Sequence, residues 1–187
     1  MKPTILFLSE HGSPAAEDPQ LESCLEALGN DYQLLVVVPS GELMGAELKA
    51  RGILTASCRW GEGGAWSSLR QSPGAARELG RLVERHSVRL IYVAGPGPLP
   101  AAGLAAGYTR RPLVFYLQRP LEGRMETFIT AKFAGLAERI LVASQDLREI
   151  LLRSSSKLHA KIEVFDVNSA PAEHAGRLRE LVKKLVG

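Results

Sequence analysis

Cysteine and histidine are scarce in this chain. Its two cysteines, Cys24 and Cys58, make neither a disulfide framework nor a paired metal motif. Its four histidines are not paired at ligand spacing, so no metal site and no cofactor are expected. Aromatic residues are few, at 6% of the chain, and 23 basic residues are nearly balanced by 20 acidic ones. The net charge of +3 is spread along the sequence without aromatic interleaving, which argues against a nucleic-acid binder. No apolar run approaches the roughly 20 residues of a membrane helix. "TILFL" is too short for a signal-peptide core and is followed at once by Ser9 and Glu10, so a cytoplasmic protein is expected. There is no Gly-x-Gly-x-x-Gly after the first apolar run and no Walker-type Gly-Lys-Ser. A dehydrogenase or a kinase therefore lacks its phosphate motif.

What is there is a regular alternation. Of the 187 residues, 45% are hydrophobic and 23% charged, which suits one soluble domain with a real core. "TILFL" (4–8), "QLLVVV" (33–38), "LIYVA" (90–94), "LVFYL" (113–117), "RILVA" (139–143) and "KIEVF" (161–165) read as strands, with "GILTAS" (52–57) a weaker seventh. Their apolar character is continuous rather than alternating, the pattern of strands covered on both faces. Helical patterns lie between them, over 20–29, 42–51, 73–86, 99–107, 125–136, 145–153 and 172–186. Leu21, Leu25 and Leu28 mark one apolar stripe, and Leu178, Leu181, Val182 and Leu185 another. Strand–helix alternation of this length implies right-handed crossovers and a single α/β Rossmann-like domain. The expected architecture is a doubly wound parallel sheet of about seven strands with helices on both faces. Residues 1–170 form the domain, and 171–187 a C-terminal helix packing back on it.

Four segments carry the candidate functional residues. In an open parallel sheet, ligands bind beyond the carboxyl ends of the strands, so the turn in "LFLSEHGSPAAEDPQLESCLEAL" (6–28) is placed to line a cleft. Asp18 and Pro19 read as a helix cap and a first-turn proline, with Glu22 favouring the helix dipole. Capping does not explain Glu10 and His11. In "VAGPGPLPAAGLAAG" (93–107), the glycines serve either close helix–sheet packing or, at Gly95 and Gly97, close approach of a ligand. In "YLQRPLEGRMETF" (116–128), Arg119 and Arg124 either form a fork for an anion or pair with Glu122 and Glu126. "CRWGEGGAWSSLRQSPG" (58–74) reads as a long, mobile loop. Its Trp60 and Trp66 either cover the core edge or serve a ligand or membrane surface.

Taken in order, these segments resemble the N-terminal, acceptor-side domain of retaining glycosyltransferases of the GT-B fold, family four (group 1). The resemblance spans nearly the whole chain and implies the strand order 3-2-1-4-5-6-7. "ILFLSEHGSPAAEDPQLESCLEAL" resembles the family's first strand, glycine-rich loop and first helix, and "YQLLVVVPSGELMGAELKARGI" its second βα unit. "RLIYVAGPGPLPAAGLAAGYTRRPLVFYLQRPL" resembles its central strand pair, "AERILVASQDLREIL" the next unit, and "KIEVFDVNSAP" the segment entering the interdomain linker. The chain departs from the pattern at Ala15 and Ala16, where the family has paired glycines. It departs also at Asp18, where the family has glutamate, and at Ala94 and Gln118, where histidines are frequent. Asn168-Ser169 replaces an Asn-Gly, and Glu173 and Glu180, seven positions apart, lack the spacing of the family's donor-side glutamate pair.

The resemblance implies the acceptor-side half of a nucleotide-sugar-dependent hexosyltransferase, a role in polysaccharide biosynthesis, and inactivity without a donor-binding domain or subunit. Substrate-binding candidates are Glu10, His11, Gly12, Ser13, Gly95, Gln118, Arg119 and Arg124. Gly12 and Ser13 stand on the phosphate side, and Gln118 takes the position of a sugar-contacting histidine and is the one catalytic candidate. Partners would be a sugar or lipid-linked acceptor and a peripheral membrane contact at the inner face, with no nucleic acid. The alternative is a non-catalytic Rossmann-like interaction module derived from such an enzyme.

Overall fold

A computed structural model describes residues 2–10, 19–39, 44–60, 65–165 and 171–186. Seven strands form a single sheet: β1 (Thr4–Ser9), β2 (Gln33–Val38), β3 (Leu54–Ser57), β4 (Val88–Ala94), β5 (Leu113–Leu117), β6 (Arg139–Val142) and β7 (Ile162–Val164). Every neighbouring pair is parallel, in the order β3-β2-β1-β4-β5-β6-β7. This is the expected order, and the weak run at 52–57 supplies edge strand β3. Among the described residues, six α-helices lie between the strands, α1 (Pro19–Leu28), α2 (Met44–Ala50), α3 (Ala65–Arg85), α4 (Leu99–Thr109), α5 (Gly123–Ala134) and α6 (Gln145–Ser154), and α7 (Pro171–Val186) follows β7. A short 3-10 helix over Ser156–Lys161 precedes β7.

The continuous apolar strands follow from two cores. Side chains alternate across a strand, so in β1 Leu6 and Leu8 enter one cluster while Ile5 and Phe7 enter the other. In β5, Leu113, Phe115 and Leu117 face the first cluster, and Val114 and Tyr116 the second. Leu79 and Val83 of α3, Ala102 and Ala105 of α4, Ala131 of α5 and Leu151 of α6 close the first. Leu21 and Leu28 of α1, Leu48 of α2, and Leu178 and Val182 of α7 close the second. There the Phe7 and Tyr92 rings stack with centroids 5.2 Å apart, and the Tyr116 hydroxyl donates to the Phe165 carbonyl at 3.4 Å. Arg179 of α7 donates to the Ala27 carbonyl of α1 at 3.1 Å.

The 58–74 segment corrects the expectation of a long loop. Helix α3 begins at Ala65 and runs through Pro73. Proline inside a helix costs about 3 kcal/mol in isolation, which is why 73 reads as a helix start in the sequence. Tertiary anchoring offsets that cost here. Ser68 and Ser72 are both buried, Ser72 Oγ donates to the Ser68 carbonyl at 2.6 Å, and Ser68 Oγ donates to the Gly97 carbonyl at 2.6 Å. Trp60 is 6% exposed and covers the core edge. The Trp66 side chain lies outside the described set.

Candidate functional site

The carboxyl ends of β1, β4 and β5 lie side by side, because β1 pairs with β4 and β4 with β5 in parallel register. Glu10 therefore leaves β1 beside the turn that follows Ala94, and next to it comes the segment that follows Leu117. These three exits meet on one carboxylate. Glu10 Oε1 accepts from the Gly97 N–H at 3.1 Å and from Arg119 Nη2 at 2.8 Å, and Glu10 Oε2 accepts from Arg119 Nε at 3.2 Å. The Glu10 side chain is only 10% exposed. Three of the four candidate segments are thus brought together through Glu10, Gly97 and Arg119.

The glycines of the β4–α4 turn have a physical reason. Gly95 has φ +93°, a region that side-chain-bearing residues rarely adopt. A Cβ there would lie 2.2 Å from Glu10 Oε2, and one on Gly97 would lie 3.1 Å from Glu10 Oε1. The close approach that these glycines permit is thus made by a side chain of the same protein. The turn is pinned from two sides, since the Gly95 N–H donates to the Tyr116 carbonyl at 2.9 Å and Ser68 holds the Gly97 carbonyl. Further along, Gly103 serves packing, because a Cβ there would meet Leu136 at 3.0 Å and Phe133 at 3.4 Å. Gly107 has open space around it.

Arg119 is shared between two acids. Its Nη2, shared with Glu10, lies 2.8 Å from Glu126 Oε1, and its Nη1 lies 3.3 Å from Glu126 Oε2. Glu126 in turn receives the Glu122 N–H, so it caps the start of α5 while it fixes Arg119. Burial lowers the Arg119 pKa, but the hydrogen bonds it donates to Glu126 and Glu10, and their charges, raise it by more, so the net shift is upward. Arg119 stays cationic at every working pH. Two carboxylates around one guanidinium leave the cluster with a net charge of −1.

Of the two arrangements open for Arg119 in the sequence, pairing with Glu126 is the one found. Arg124, on the first turn of α5, is exposed and is not brought to this cluster by any described contact. Gln118 is half-buried at the carboxyl end of β5 beside Arg119. His11, Gly12 and Ser13 lie outside the described residues. Sequence reasoning named Glu10 and Arg119 separately and offered Glu126 as a partner of Arg119, but missed the pairing of Glu10 with Arg119. The signal was a carboxylate at the end of β1 that helix capping does not explain.

Other reactive groups are silenced. Cys58 is buried, and desolvation followed by the nearby Glu78 charge pushes its pKa up to about 12, so its thiol is inert as a nucleophile. Among the described residues, no group of three or more His, Cys, Asp or Glu can hold a metal ion, and no helix is long and apolar enough to cross a membrane.

No family model matches the chain, and no curated protein does. Solved structures do. HepE of Anabaena, in complex with UDP, superposes with a TM-score of 0.69 at 19% identity, over 98% of this chain and 50% of HepE. The chain has the fold of one half of a GT-B protein. A glycosyltransferase from Rickettsia africae gives 0.63 at 16% identity, over 98% of this chain and 49% of its own. UDP-GlcNAc 2-epimerase from Methanocaldococcus jannaschii gives 0.61 at 12% identity, over 100% and 54%. The chain spans about half the length of these structures.

Proposed function

We propose that the chain is the acceptor-side half of a nucleotide-sugar-dependent glycosyltransferase of family four, working with a separate donor-binding domain or subunit. The observation that carries this reading is the match to one half of GT-B proteins, joined to a polar cluster at the carboxyl edge of β1, β4 and β5. An acceptor sugar would lie along that edge, with Gln118 facing it from the end of β5 and the Gly95–Gly97 turn forming the wall. The N-terminal loop, with Gly12 and Ser13, would face the donor phosphates. Catalysis would then come from proximity of two substrates held by two domains, and this half supplies one of them.

Peripheral membrane contact at the cytoplasmic face belongs to the same reading, and α5 offers the surface for it. Met125 and Phe128 are exposed at 42% and 65%, beside exposed Arg124 and Lys132. The acidic residue of the first turn, Glu126, is turned to Arg119. Next to Phe128, a groove of about 420 Å³ is lined by Lys132, Lys157 and Lys161. Apolar side chains flanked by cations suit an anionic bilayer surface.

One observation favours the second reading, an interaction module without catalysis: Arg119 is fully engaged inside the protein. The test is an amide NMR titration with neutral mono- and oligosaccharides. Saturable shifts at Gly95, Gly97 and Gln118 support the acceptor-side reading. Shifts absent there across the panel count against it.

A further inference from the structure

We propose that Glu10 is a specificity-determining residue: a built-in anion that fills the cradle at the ends of β1, β4 and β5. The site then takes a neutral, hydroxyl-bearing acceptor and turns away one that presents a phosphate or carboxylate at this point. The identity of the ligand as an acceptor rests on the reading above; the filled cradle rests on geometry alone.

The parts that ordinarily bind an anion are all present. Gly97 offers a backbone N–H, Arg119 offers a planar fork, and two glycines remove the side chains that would keep a ligand away. All of them converge on the Glu10 carboxylate, at 3.1 Å from Gly97 N and at 2.8 and 3.2 Å from Arg119. The φ of +93° at Gly95 and the 2.2 Å that a Cβ would leave there show a turn shaped around this one side chain. Glu126 takes the other edge of the guanidinium, so no N–H fork is left over for an incoming anion. With one cation between two acids, the cluster repels a phosphate. A neutral hydroxyl group carries no charge for it to repel.

The test is an NMR titration of the Gly97 amide and the Arg119 Nε–H with inorganic phosphate and with acetate, in wild type and in Glu10→Ala. Wild-type signals are expected to stay put, and the variant's to shift saturably with either anion. Acetate should also restore lost thermal stability to the variant, since a ligand at ten times its Kd raises the folding equilibrium constant about tenfold. Saturable anion shifts in wild type at these two groups, or none in Glu10→Ala, overturn the proposal. Glu10→Gln keeps an acceptor oxygen for Gly97 while removing the charge, so it decides the matter if Glu10→Ala does not fold. It should bind phosphate more tightly than wild type at Arg119, and equal affinity overturns the proposal. No sugar and no turnover enter this experiment. Its failure leaves the acceptor-side reading standing, and silence in the saccharide titration leaves the anion result standing.

Discussion

Substituting Gly95 by alanine should damage the protein through Glu10, and the size of that damage follows from the geometry. The new Cβ would sit 2.2 Å from Glu10 Oε2, 2.7 Å from its Cβ and 2.8 Å from its Cδ, all closer than real atoms approach. The carboxylate has no easy retreat, because its oxygens are held by Gly97 and by Arg119. Displacing it breaks charge-assisted hydrogen bonds worth about 1.5–3 kcal/mol each when buried. Arg119 is 29% exposed, and water screens part of that loss. A net cost of about 2–4 kcal/mol for the broken clamp is therefore expected. The positive φ adds about 1–2 kcal/mol of backbone strain. In a Glu10→Ala background the carboxylate and the clamp are gone, and the backbone strain and the 2.7 Å contact with the remaining Cβ are left. Urea unfolding of the four proteins in this cycle gives the coupling directly. A coupling of about 2–4 kcal/mol is expected. Equal costs for Gly95→Ala in both backgrounds would refute the claim that this turn is built around Glu10.

Other consequences are independent of that cycle. Gly107→Ala should raise stability by about 0.5–1 kcal/mol, because it adds helix propensity in open space, and Gly103→Ala should gain less because Leu136 must move; thermal melts compare the two. The Glu22 pKa is lowered, chiefly by its hydrogen bond from Arg51 and against the opposing effect of burial. Its contribution to stability is full above the ordinary value of 4.5 and is lost as pH falls through the lowered one, so Glu22→Gln should flatten the acid limb of a stability–pH curve. Ser68→Ala removes the bond to the Gly97 carbonyl and should cost about 1–2 kcal/mol, with raised hydrogen exchange at Gly97 as its local signature. Phe128→Ser should weaken co-sedimentation with phosphatidylserine vesicles while leaving the melting temperature unchanged, and retained binding would move the contact away from α5.

The sheet was legible because its strands are buried twice over. Leu6 and Phe7 face opposite clusters, so neither position tolerates a polar residue, and the run reads as a central strand without any knowledge of its neighbours. The alternation of strands and helices gave a parallel sheet, and the strand order followed from the family resemblance. The start of α3 was not legible, since local propensity at Pro73 points one way and the buried serines beneath it point the other. The candidate site was half legible. That residues near 10, 95 and 119 meet is a property of parallel topology. That Glu10 pairs with Arg119, across 109 positions, is a choice among partners that no local pattern encodes. Arg119 was seen with its near neighbours only, and of these Glu126 did prove to be a partner. The glycines were read as either close packing or room for a ligand; Gly103 packs on Leu136, and the space at Gly95 and Gly97 holds the chain's own carboxylate.

The central claim is that this chain holds one side of a two-sided reaction. Transfer needs donor and acceptor in one site and fixed positive groups or dipoles at the departing diphosphate. Among the described residues, the cation at the candidate site is Arg119, and it is already neutralised by Glu10 and Glu126. The direct measurement is release of free nucleoside diphosphate from a panel of nucleotide sugars, with the purified 187-residue chain alone and then with a donor-type GT-B domain added. The account predicts background release from the chain alone and acceptor-dependent release once the second domain is present. Sustained release by the chain alone, abolished by Gln118→Ala or Arg119→Ala, would contradict it.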